Sequence, residues 1–151
     1  MVFAKIKILL LCLFFVQCDN VFAQKDSLAG YWEGILTVER EGDVLAEYNF
    51  ALRFSEENKE IIGVSYVWYN NLGANMALEI QLLDENTIQI KETSIKKADA
   101  LPRGEWCVKE MILHKKTDKT QTYWQGEWSG KTTFSTCTPG KITVKRSVER
   151  A

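Results

Sequence analysis

Hydrophobic and polar residues alternate along most of this chain with a period of two, the spacing that sends successive side chains to opposite faces of a β-sheet. In 30–40, Trp32, Gly34, Leu36 and Val38 fall on one face, and Tyr31, Glu33, Thr37 and Glu39 on the other. The segment 44–55 alternates most cleanly, with Val44, Ala46, Tyr48, Phe50, Leu52 and Phe54 set against Glu47, Asn49, Arg53 and Ser55. A third strand, 61–69, is apolar on both faces; Ile62, Val64, Tyr66 and Trp68 are assigned inward for consistency with its neighbours. Met76, Leu78, Ile80 and Leu82 form the inner face of a fourth strand, and Ile88, Ile90 and Glu92 that of a fifth. The sixth, 106–116, is ambiguous, because Trp106, Val108 and Ile112 compete with Met111 and Leu113. Thr122, Trp124, Gly126 and Trp128 mark a seventh, and Ile142, Val144, Arg146 and Val148 an eighth.

Short reversals separate these runs at 41–43, 56–59, 70–73 and 84–86, several of them built from Gly and Asn, which tolerate positive φ. Two connections are longer: 96–104, with Pro102, and 129–140, with Cys137 and Pro139. Eight strands without an amphipathic helix predict an all-β fold, an eight-stranded antiparallel up-and-down meander that closes into a barrel. A two-sheet β-sandwich is the alternative. Tyr31-Trp32-Glu33-Gly34 recurs as Tyr123-Trp124-Gln125-Gly126. In both, the glycine is expected to make room for a bulky side chain from the next strand.

Residues 1–23 read as an export signal: Lys5 and Lys7 precede an apolar run over 8–16, and Val21-Phe22-Ala23 suits a signal peptidase. The run is too short for a permanent membrane span. Cleavage would leave 24–151 as a single domain, secreted or periplasmic. Cys18 is an alternative point of lipid attachment, although Gln17 ill suits that signal. Of four cysteines, Cys107 and Cys137 would then remain, an even pair expected to form a disulfide in an oxidising compartment. With His114 the sole histidine and no Cys-x-x-Cys, no metal site is expected. Taking Lys5, Lys7 and Asp19 from the 19 basic and 20 acidic residues leaves a net charge of −2. Without a basic patch, nucleic acid is not an expected partner.

Gly30-x-Trp32 at the head of the first strand, with Arg146 near the end of the last, resembles the structural signature of the calycin barrels, the lipocalins and avidins. The resemblance implies that Trp32 closes the blunt end of the barrel and that a basic residue, here Arg146, packs across it. Avidin's polar biotin contacts have no counterparts in this chain, so biotin is not implied.

In a meander, alternate connections share an end, so both long connections and both cysteines fall at one end, the expected mouth. The inward residues nearest it are Tyr48, Tyr66, Trp68, Met76, Glu92, Trp106 and Trp128, an aromatic cup with one carboxylate. Such a cup suits a small apolar or amphipathic ligand, with Glu92 reading a cationic or hydroxyl group. Against this, aromatic residues inside a small barrel also serve simply to fill it. Glu92 could equally be held by Arg103, Tyr66 or water. No cofactor and no catalytic motif is apparent. A carboxylate pair for glycoside cleavage, Glu92 with Glu110, would need the even positions of the sixth strand to face inward. The expected function is that of a non-enzymatic ligand-binding barrel. The alternative is a filled barrel that binds another protein through its long loops or through Tyr31, Tyr69 and Tyr123.

Overall fold

The computed structural model describes residues 28–148, so the expected export segment and Cys18 lie outside the described residues. Eight strands carry the alternation: β1 (Gly30–Arg40), β2 (Asp43–Glu57), β3 (Glu60–Tyr69), β4 (Leu72–Asp84), β5 (Thr87–Ala98), β6 (Val108–Thr117), β7 (Thr122–Lys131) and β8 (Gly140–Ser147). Each is antiparallel to its neighbour in the chain, and β1 pairs with β8. The sheet is therefore a closed barrel, not a sandwich, and no strand is left with an unpaired edge along its whole length.

Closure puts the head of the chain against its tail. Trp32 lies directly opposite Arg146 in the β1–β8 register. The guanidinium carbon sits 4.5 Å from the centroid of the indole ring, a cation–π contact worth about 0.5–2 kcal/mol. Arg146 Nη1 donates to the carbonyl of Ala29 at 2.8 Å, and Trp32 Nε1 to that of Leu28 at 2.8 Å. Trp124 meets Trp32 edge-on, with centroids 6.3 Å apart. This end is plugged. Above the plug, Phe50, Leu52, Met76, Ile90, Leu113 and Ile142 are inaccessible to solvent and fill the middle of the barrel.

Several inward assignments are corrected, and the ambiguity of the sixth strand is resolved. In β3, Gly63 faces Phe54, Ser65 faces Leu52 and Val67 faces Phe50. Directly opposed residues share a face, so Gly63, Ser65 and Val67 point inward, whereas Ile62, Val64, Tyr66 and Trp68 point outward. The inward residues are small because the space is taken: a Cβ at Gly63 would meet Phe54 at 3.0 Å and Ile80 at 3.1 Å. In β6 the odd positions face inward, with Lys109, Met111 and Leu113 buried, and Trp106 lies ahead of the strand. In β2 the register shifts between Val38 and Glu39, leaving Leu45 as an extra residue that puts Val44 opposite Glu39, and Val44 is exposed. Val148 lies past β8 and is exposed as well.

The repeated Trp-x-Gly also has a different cause from the one expected. A Cβ at Gly34 would fall on the carbonyl oxygen of Thr143, and one at Gly126 on that of Ile112. What excludes a side chain is the backbone of the adjacent strand, which approaches too closely for a Cβ.

Candidate functional site

The turns after β1 and β3 and the connections 99–107 and 132–139 all lie at the end opposite the Trp32 plug. A cavity of about 460 Å³ opens there. Its sides are aromatic: Tyr48, Tyr69, Trp106 and Trp128. Leu36, Val38, Val67 and Lys109 complete the lower wall.

Each aromatic is held by its neighbours. Trp128, on β7, donates its indole N–H to the carbonyl of Thr37 on β1 at 2.8 Å. Trp106 donates to the carbonyl of Asp99 at 2.8 Å. The rings of Tyr48 and Tyr69 lie 5.6 Å apart. The connection carrying Trp106 exists in this form because β5 and β6 part company early. Their pairing ends at Lys91 and Glu110, while β5 runs on beside β4 as far as Ala98. Asp99 then anchors the chain, its N–H donating to the Gly73 carbonyl and its carboxylate accepting from the Gly73 N–H, each at 2.9 Å.

Two further ties fix the 132–139 connection. Cys107 and Cys137 form the expected disulfide, with Cα atoms 6.4 Å apart. Glu105 accepts a hydrogen bond from the N–H of Thr133 at 2.9 Å. On the β1 side, the N–H of Glu39 donates to the Pro139 carbonyl, and its carboxylate pairs with Lys141 at 3.0 Å. The Thr37 hydroxyl and then the Lys141 ammonium hold the Glu39 carboxyl below its usual range. Past the disulfide the hollow continues outward to Phe134, which is 85% exposed.

Beneath the cavity lies a buried polar cluster. Glu92 Oε1 accepts from the Ser65 hydroxyl at 2.6 Å, and Oε2 from the Lys109 N–H at 2.8 Å and the Lys109 ammonium at 3.0 Å. The ammonium also donates to the Cys107 carbonyl at 3.0 Å. The two charged side chains are 4% and 0% exposed, Lys109 being the more accessible.

Of the seven residues expected at the mouth, Tyr48, Trp106 and Trp128 line the cavity. Met76 and Glu92 are buried outside its lining, and Tyr66 and Trp68 are on the outer face of the barrel. Arg103 lines the cavity and is exposed, and Glu92 has Lys109 for its partner instead. Tyr69, expected outside, belongs to the inward phase of β3 and joins the lining. Lys109 escaped the sequence reading; the signal available was Glu92 itself, since a buried carboxylate needs donors from adjacent strands.

Glu110 lies on the outer face, so it does not meet Glu92 inside the barrel. It shares an outer depression with His114 and Glu127, and His114 Nδ1 is 3.3 Å from the Thr87 hydroxyl. No group of three metal-ligating side chains occurs among the described residues. Compared with known proteins, the chain matches no family model, no curated protein and no solved structure.

Proposed function

We propose that this protein is a non-enzymatic binder of a small apolar or amphipathic molecule, carried at the open end of a calycin-like barrel outside the cytoplasm. The observation that carries the reading is the cavity of about 460 Å³, walled by four aromatic rings above a filled core. Small-molecule sites occupy roughly 300–1,000 Å³ and are mostly apolar with a few placed polar groups. The stacking of Arg146 on Trp32 supports the calycin-like reading, and the Cys107–Cys137 bridge supports an oxidising compartment.

A second reading has its own support. Phe134, Tyr69, Val44 and Leu45 are exposed apolar side chains at the mouth end. An apolar rim suits a module that docks on another protein.

Tryptophan fluorescence separates the two. Trp106 and Trp128 are in the lining, so a panel of lipophilic compounds should contain some that quench the emission saturably, and Trp128→Phe should reduce the amplitude. A flat response to every compound removes the support for ligand binding and leaves the docking module.

A further inference from the structure

We infer that the ligand carries a hydrogen-bond acceptor, a carbonyl or carboxylate oxygen at one end of an apolar body, and that the Lys109 ammonium receives it at the base of the cavity. This rests on the ligand-binding reading and names the chemistry of the same site.

The first step is that Glu92 is already satisfied. Its carboxylate accepts from the Ser65 hydroxyl, the Lys109 N–H and the Lys109 ammonium, and its side chain is wholly buried. Buried and outside the cavity lining, it is out of reach of a ligand ammonium or hydroxyl in the cavity. The second step is a count of donors. A lysine ammonium has three N–H groups. Two are engaged, by the Cys107 carbonyl and by Glu92; the third has no oxygen or nitrogen acceptor among the described residues, the ammonium's other neighbour being the Phe50 ring, 6.0 Å away at its centroid. The side chain that bears it is part of the cavity lining.

The other donors in the lining are the Tyr48 and Tyr69 hydroxyls, the Asn70 amide, the exposed Arg103 and two indoles, and Lys109 is the buried cation among them. The indole N–H groups of Trp106 and Trp128 are directed to the Asp99 and Thr37 carbonyls. The one carboxylate in the lining, Glu105, already accepts from the Thr133 N–H. The lining's cations are Lys109 at the base and the exposed Arg103. The cavity thus offers a donor at its base and apolar rings above it, the reverse of the polarity that a lone Glu92 would have given. A charge-assisted hydrogen bond to an ammonium is stronger than a neutral one, which gives the site a basis for selecting acceptors.

The test uses three amphiphiles with one tail and different heads: decanoate, decanamide and decylammonium, each below its micelle concentration. They are titrated into the full, disulfide-intact protein by tryptophan fluorescence and calorimetry. Decanoate and decanamide should bind about tenfold or more tightly than decylammonium, the ratio of one good hydrogen bond. The double variant K109M/E92Q removes both buried charges together and should bind all three alike. If that variant does not fold, K109R, which keeps a donor, should retain the preference. Equal or tighter binding of decylammonium to the native protein, or an acceptor preference that persists in the double variant, overturns this inference while leaving the ligand-binding reading intact. Binding of none of the three removes that reading as well.

Discussion

Gly34 and Gly126 show how much of a barrel is decided by single atoms that are not there. At both positions the missing Cβ would coincide with a carbonyl oxygen of the neighbouring strand, on Thr143 and Ile112. That oxygen belongs to the ladder itself and cannot swing aside as a side chain would. Gly34→Ala should therefore destabilise the protein by roughly 2–4 kcal/mol, in the range of substitutions that force a backbone shift inside a core. Urea unfolding measures it, and a loss under about 1 kcal/mol would show that the strands can part there at little cost. The Trp-x-Gly repeat is plain in the sequence, but its reason is not. Thr143 is remote from Gly34 in the chain, and nothing in the alternation reveals how closely β8 approaches β1. The Trp32–Arg146 pair is legible for the opposite reason, because closure of the meander alone brings those two positions together.

Among the elements, β1, β4 and β7 read correctly because one face of each is plainly more apolar than the other. β3 does not, since its outward residues Val64, Tyr66 and Trp68 are more hydrophobic than the inward Gly63 and Ser65. That inversion and the ambiguity of β6 have one origin. Glu92 on β5 is inward and buried, and it draws a hydroxyl from β3 and an ammonium from β6 into the barrel. A polar residue then stands at an inward position in three strands, and a pattern based on apolar faces misplaces one of them, β3, and leaves another, β6, undecided. The connections are legible only in outline. Two long loops and two cysteines at one end are visible in the sequence; the extension of β5 to Ala98 and the folding of 99–107 across the gap beside β6 are not. The disulfide joins the two connections over a separation of 30 residues. In the loop-entropy model such a bridge is worth about 3–4 kcal/mol. Cys107→Ala should lower the thermal midpoint clearly, by more than 10 °C on the usual relation between stability and midpoint for a domain of this size, roughly. An unchanged melting curve would mean that the hydrogen bonds of Asp99 and Glu105 hold these connections without the bridge.

For the molecule as a whole, the barrel divides along its axis. The end closed by Trp32, Trp124 and Arg146, together with the filled middle, accounts for closure and core. The other end carries the cavity, the long connections and the disulfide. The described chain also starts and finishes at the plugged end, where Tyr31 pairs with Ser147. Stability and the proposed ligand response should therefore be separable by moving the chain ends. One circular permutant links Val148 to Leu28 through a short flexible segment and opens in the 118–121 turn, at the plugged end. That turn is self-contained: the Asp118 carboxylate accepts from the Thr120 N–H and hydroxyl and the Gln121 N–H at 2.9–3.0 Å, all exposed to solvent. Opening it disturbs no inward side chain, so this permutant should fold and keep the native fluorescence response. A second permutant, opened between Pro102 and Arg103, interrupts the connection that carries Trp106 across the mouth. It should retain the far-ultraviolet spectrum of an intact barrel yet bind lipophilic compounds at least tenfold more weakly, since ordering that wall again costs about a decade for each 1.4 kcal/mol. Were the first permutant also to lose the response, the plugged end and the mouth would be coupled through the core, and the cavity could not be treated as a site built on an independent scaffold.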